Sequence, residues 1–253
     1  MICRNPERGQ AARDAIREKS GNEEVHLFLA DLSKIPLTVQ VSKSILAKHP
    51  KIDVLVNNAG LYLPTREVSE DGLEMMFAVN HIAAFVLSQG LLPGLRRAEQ
   101  GRVVTVSSDA HRWGASNLDD LQCNESFRAM RQYGTTKLLN IMFTRHLASR
   151  LENSPITANC YHPGAVGTGF GQDAPGLLNV AMKIGKPFLR SAKRGARTGV
   201  FLACDESVAK SSGLYFYNEK PRKPSAVARR DDLAIELWQT TADIVSQAGR
   251  STP

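Results

Sequence analysis

Short apolar runs alternate with helix-length segments along nearly the whole chain, and this alternation limits the fold more than any other feature. It predicts strands over 25–30, 53–57, 102–107, 156–161 and 213–216, and helices over 6–19, 33–48, 71–92, 133–151, 192–205 and 230–246. The strand runs are too uniformly apolar for a sheet with one wet face. Both faces are therefore expected to be covered, as in a parallel α/β sheet. Right-handed crossovers leave few arrangements, of which a doubly wound open sheet leads. No repeat or linker divides the 253 residues, so a single domain over 1–253 is expected. In such sheets ligands bind at the carboxyl ends of the strands, and the polar motifs of this chain begin there.

Composition removes several function classes. The net charge of +7 comes from dispersed bases without interleaved aromatics, which does not make a nucleic-acid stacking platform. Six histidines and four well-separated cysteines show no metal-ligand spacing, so no metal is expected and the thiols are read as reduced and mostly core. No apolar run reaches the ~18 residues of a membrane span, and 81–95 reads as a buried helix. The N-terminus has no secretory signature, so the chain as written is expected to be cytoplasmic. One basic concentration stands out: Lys183, Lys186, Arg190, Lys193, Arg194 and Arg197, beside Leu177, Leu178, Ile184, Phe188 and Leu189. It reads as a solvated helix face, the alternative being peripheral contact with an anionic membrane.

Chemistry is concentrated in five motifs. Tyr133 and Lys137 stand four apart, one turn along a helical face. A phenol titrates near 10, and a cation within ~4–6 Å lowers that value, so the pair suits proton exchange with an alcohol/carbonyl couple. Alone the spacing is common on helices. Ser107-Ser108 closes the strand at 102–107, where a hydroxyl can reach a substrate oxygen or simply cap a turn. Asn57-Asn58-Ala59-Gly60 closes the strand at 53–57, its small residues allowing close backbone approach to a ligand or a plain turn. Asn80 lies within an apolar helix, where its amide is costly unless bonded. Pro163-Gly164 makes a sharp turn after the strand at 156–161, and Thr168 follows it.

In this order, and with the runs "CRNPERG" (3–9), "VNH" (79–81), "VSSDAH" (106–111) and "YHPGAVGT" (161–168), the chain resembles the short-chain dehydrogenase/reductase family over residues 1–247. Within it, the retinol-dehydrogenase-like branch is most similar, the branch of the dehydrogenase/reductase member 13-type proteins and the WW-domain oxidoreductase. The resemblance implies a Rossmann-type fold and hydride transfer between NADP(H) and a lipophilic alcohol, aldehyde or ketone, retinoids included. It assigns Tyr133 as proton donor and acceptor, and Ser108, the last of its strand-end pair, as the hydroxyl orienting the substrate. Lys137 would hold the nicotinamide ribose, and Asn80 a helix kink and a relay water. Asn57, Ala59, Gly60, Pro163 and Gly164 would flank the cofactor, with Val166 and Thr168 at the nicotinamide amide.

Asp31 would meet the adenine, although "DLS" also makes a helix N-cap around Ser33. Arg4, after what looks like the tail of the second strand, favours the 2′-phosphate of NADP over NAD. A substrate lid is expected near 170–192, whose Leu177, Leu178, Val180, Met182, Ile184 and Phe188 suit either an apolar ligand or helix packing. Homo-oligomers are common among such relatives, and a longer form with an N-terminal anchor would place the protein at the endoplasmic reticulum membrane.

One family element is not found. The glycine turn that receives the pyrophosphate precedes the second strand, yet the only glycines before Gly60 are Gly9 and Gly21, in neither case after a strand. The sequence reads as beginning inside that second strand, which implies an N-terminally truncated sheet with two open edges, poor cofactor binding and marginal stability. The alternative to an active enzyme is therefore a truncated isoform or incomplete gene model with at most a binding or regulatory role.

Overall fold

The computed structural model describes residues 1–115, 118–165 and 190–250, with side chains described to residue 248. β1 (Ile2–Cys3) pairs in parallel with β2 (Phe28–Leu29). A second sheet runs β3 (Val54–Asn57), β4 (Arg102–Val106), β5 (Thr157–His162), β6 (Tyr215–Tyr217), β7 (Lys220–Pro221). It is parallel except for the β6–β7 hairpin, which the sequence patterns do not show.

The helices are α1 (Pro6–Ser20), α2 (Ile35–Lys48), α3 (Met75–Leu95), α4 (Ala129–Arg150), α5 (Ala192–Cys204) and α6 (Asp231–Arg250). Their ends follow local chemistry. At α1, Asn5 accepts from the Arg8 N–H at 2.7 Å and Pro6 supplies a pre-set first turn. Gly21, at φ +66°, closes the helix in the left-handed region where a side chain would be strained.

Alternation along the central strands sets the layers. Val103 and Ala158 face the cluster of Phe85, Leu95, Phe143 and Leu147 on α3 and α4. Val104 and Tyr161, on the opposite face of the same strands, meet Leu202 of α5 with Val208 and Phe216. Both faces are thus covered, as the apolar strand runs require.

Among the described residues no strand pairs with the outer edge of β1 or of β3, and Val56 on β3 is 45% exposed. Several expectations are corrected. The cap expected at Ser33 is not made. Asp31 instead accepts from the Ser33 N–H and hydroxyl at 3.0 and 2.7 Å, and Asp71 caps Ile35 N–H at 2.6 Å from across the fold. α4 starts at Ala129, so Tyr133 lies one turn inside the helix and does not open it. Of the four thiols, only Cys160 is buried.

α3 is long and apolar enough to cross a membrane, but 72% of that stretch is buried within the fold. Its buried Asn80 and His81 are hydrogen-bonded, which offsets the cost of polar groups in an apolar helix.

Candidate active site

The segments after β3 and β4 meet α4 at the carboxyl end of the sheet. Tyr133 is half-buried, and its phenol is hydrogen-bonded to the Ser108 hydroxyl. The Lys137 ammonium stands 5.5 Å from the centre of the Tyr133 ring, and the Tyr62 ring meets it edge-on at 6.0 Å. Burial pushes the phenol up to about 12, the Ser108 bond working against it. The lysine is pushed down to about 8 by burial alone. The expected lowering of the phenol by its lysine neighbour is therefore not what prevails, because loss of solvent outweighs a cation that faces the ring. A phenol shifted this way keeps its proton at neutral pH.

The two serines take different partners. Ser107 is fully committed to the fold, its hydroxyl donating to the Lys137 carbonyl at 2.7 Å. Ser108 opens the 3-10 turn Asp109–Trp113, its Oγ accepting from the Ala110 N–H at 3.2 Å while meeting Tyr133. That turn packs on α4 through Gly134. A Cβ there would lie 2.5 Å from the Ala110 carbonyl oxygen and 3.0 Å from the Gly114 nitrogen. Gly134→Ala is accordingly expected to destabilise by about 1–2 kcal/mol. Overpacking of ~1–3 kcal/mol outweighs the ~1 kcal/mol helix preference for alanine. Thermal unfolding would check this, and a rise in stability would contradict the close approach.

Asn80 sits in a π turn, Ala78–Ile82, within α3. Its Oδ1 accepts from the Leu61 N–H at 2.7 Å, and its Nδ2 donates to the Leu61 carbonyl and to Thr136 Oγ1, both at 3.0 Å. The amide thus ties the segment after Gly60 to the Tyr133 helix. Asn57 donates to Ser88 Oγ at 2.9 Å, and its buried Oδ1 has no partner. Gly60 approaches closely: a Cβ there would meet Lys137 Nζ at 3.2 Å and Asn80 Oδ1 at 3.3 Å. Gly164, at φ +87°, needs glycine both for its backbone and because Arg190 fills the space beside it. Arg4 and Asp31 follow β1 and β2. Burial opposes ionisation of Asp31, but its bonds to Ser33 and the nearby charges of Arg4 and Lys34 hold its pKa below the usual value. Val166, Thr168 and most of the expected lid lie outside the described residues.

Three supporting groups were not picked out from the sequence. Asn140 donates to the Asn80 carbonyl at 2.9 Å and the Val106 carbonyl at 3.1 Å. Gln132, buried beside Tyr133, donates to Glu74 at 2.7 Å. The Glu74 carboxylate in turn accepts from the Met76 and Phe77 N–H groups at the start of α3. Asn140 carries the same signal as Asn80, an amide inside an apolar helix. The Glu74–Gln132 pair, distant in sequence, carries none.

Residues 1–175 match the short chain dehydrogenase family. The chain belongs to that family. Membership makes it an oxidoreductase of a family that uses a nicotinamide cofactor. Retinol dehydrogenase 12 of Mus musculus is 33% identical over 97% of this chain and 77% of its own length. Dehydrogenase/reductase SDR family member 13 of Bos taurus is 34% identical over 95% of this chain and 64% of its own length. Among solved structures, an uncharacterized protein from Mycobacterium Paratuberculosis superposes with a TM-score of 0.74 at 26% identity, covering 97% of this chain and 83% of that one.

The residues of this short-chain dehydrogenase fit one half of a nicotinamide cofactor. Gly60 leaves room beside Lys137, and the buried ammonium makes one described hydrogen bond, to the Val106 carbonyl at 3.3 Å, keeping donors for ribose hydroxyls. The buried Asn57 oxygen has no partner among the described residues and would be free to accept from the cofactor. For the pyrophosphate half no counterpart stands among the described residues before Gly60. Gly9 is buried in the body of α1 and Gly21 caps its far end, so neither makes a strand-to-helix turn.

Proposed function

We propose that this protein reduces a lipophilic aldehyde or ketone to the alcohol with NADPH, and that retinoids are among its substrates. One observation carries the reading: a half-buried phenol at Tyr133, bonded to the Ser108 hydroxyl with the Lys137 ammonium behind its ring. The cofactor, when bound, supplies the hydride. Ser108 and Tyr133 both donate to the carbonyl oxygen, orienting it and stabilising the negative charge that develops there. Tyr133 then releases its proton to that oxygen, and the Lys137 cation steadies the phenolate left behind. Asn80 holds the Gly60–Leu61 backbone and α4 in register, so the ribose site and the proton donor keep their spacing. The retinoid class is supported by the names of the relatives, retinol dehydrogenases 12 and 14.

NADP preference rests on the cationic Arg4 beside Asp31 at the ends of β1 and β2. Steady-state reduction of retinal is expected to favour NADPH over NADH by roughly tenfold or more, the worth of one charge-assisted contact. Arg4→Asp is expected to remove or reverse that preference. Equal use of both cofactors by the unaltered protein, or an unchanged ratio in the variant, would count against it.

A second reading, a binding or regulatory role without turnover, is supported by the edges of β1 and β3 that no described strand pairs. Calorimetric titration separates the two. Micromolar binding of NADPH supports the enzyme, and a folded protein that takes up no NADPH supports the alternative.

A further inference from the structure

His111 has a hydrogen-bonding pattern that fixes its protonation and ties a distant loop to the reactive serine. The side chain is 1% exposed. Its Nδ1 lies 2.7 Å from the Ser108 carbonyl oxygen, which can only accept, and its own backbone N–H reaches the same oxygen at 3.1 Å. On the other side, the Ser225 backbone N–H, which can only donate, meets Nε2 at 3.1 Å. A ring between these neighbours carries its proton on Nδ1 and is neutral. Burial lowers its pKa and the Ser108 bond raises it, with Arg112 and Arg222 opposed by Asp109 around it. The Tyr215 ring closes a third side edge-on, 5.2 Å away at 69°.

Ser108 is the residue whose direction this arrangement controls. It has extended backbone (φ −156°, ψ 156°), and its Oγ accepts from the Ala110 N–H within the turn that His111 helps close. Rotation of the peptide plane after Ser108 would swing that turn away from Tyr133, and the plane's oxygen is the atom His111 holds twice.

We propose that His111 is a positioning residue. By clamping the Ser108 carbonyl to the Ser225 segment, it sets the direction in which the Ser108 hydroxyl meets the substrate oxygen. The proposal rests on the role given to Ser108 above. It also makes the segment around Ser225, which follows β7, part of the active-site framework.

Two conservative variants separate this role from general packing. In His111→Asn, the amide nitrogen reaches the Nδ1 place and can still donate to Ser108. In His111→Gln, the amide oxygen reaches the Nε2 place and accepts from Ser225, leaving the Ser108 carbonyl without its side-chain donor. Both lose the ring contact with Tyr215, so both lower Tm. In NADPH-dependent reduction of retinal, His111→Gln is expected to lose roughly 10–100-fold in kcat with KM nearly unchanged, as for a misplaced reacting group. His111→Asn is expected to keep kcat within about fivefold of the unaltered protein. In a Ser108→Ala background, His111→Gln should add no further loss, since the two act as one unit.

Nitrogen-15 NMR of the histidines, which needs no cofactor, should show the Nδ1–H tautomer for His111 at pH 7. An Nε2–H tautomer or an imidazolium there would overturn the proposal, as would equal kcat values for the Asn and Gln variants. If Ser108→Ala is inactive while His111→Gln turns over normally, this inference alone falls. If Ser108→Ala itself turns over normally, the role of Ser108 falls and this inference with it.

Discussion

Tyr133→Phe is expected to cut carbonyl reduction by about 10²–10⁴-fold, the range that a positioned general acid contributes. The loss should appear in kcat and in kcat/KM alike, because the phenol acts where charge develops on the substrate oxygen. Stability should change little: the ring keeps its edge-on contact with Tyr62, and the hydrogen bond to Ser108 is removed. A net protein hydrogen bond is worth about 1 kcal/mol, so Tm should shift by only a few degrees. Reduction of retinal at a near-native rate by a folded Tyr133→Phe protein would remove the phenol from the mechanism.

Glu74→Ala should produce the largest change in stability, about 3 kcal/mol. The Glu74 side chain is fully buried and accepts from three donors: Met76 N–H at 2.9 Å, Phe77 N–H at 2.8 Å and Gln132 Nε2 at 2.7 Å. Removing it strands two backbone donors at the start of α3 and a buried amide on α4, next to Tyr133. Hydrogen bonds to a charged group are each worth ~1.5–3 kcal/mol, and a stranded buried donor ~1–3 kcal/mol, while water entering the gap recovers part of the sum. The expected Tm drop is roughly 10 °C for a chain of this size. Urea or thermal unfolding checks the figure, and a loss below about 0.5 kcal/mol would show that the carboxylate is not holding these elements. Glu74→Gln should lie between, since it keeps an acceptor for the helix but turns an amide donor toward one of the three donors.

Much of the site was legible because its parts carry local signals. Tyr133 and Lys137 declare a helical spacing, Asn57–Gly60 a strand-end turn of small residues, and Asn80 an amide where only apolar side chains are expected. Each survives in the structure with a partner or a cavity that explains it: Ser108 for Tyr133, Leu61 and Thr136 for Asn80, and the Lys137 ammonium for the space at Gly60. Ser107 and Ser108 are identical as sequence, and only their opposite pleat directions separate the one buried against α4 from the one facing Tyr133.

The misreadings share a cause. Ser33 looked like a helix cap because the pattern around it is a good one, but Asp71, distant in sequence, supplies the cap and leaves Ser33 to Asp31. The phenol of Tyr133 was expected to be lowered by Lys137, since spacing says how near two groups lie and nothing about how much water reaches them. Its pKa goes up because α4 is packed into the fold on that side.

By itself, the order of residues determined the alternation of strands and helices, the covering of both sheet faces and the set of groups able to exchange a proton with a carbonyl. The first two follow from periodicity, a property of short segments, and the third is what the resemblance implies. Only the tertiary structure decided how protonated that set is, which carboxylate secures it and which histidine holds its serine. Desolvation at Tyr133, the Glu74–Gln132 bond and the His111 bridge from Ser108 to Ser225 exist only once segments far apart in the chain are packed together. Burial and long-range hydrogen bonding are sums over neighbours that the chain brings into contact only by folding.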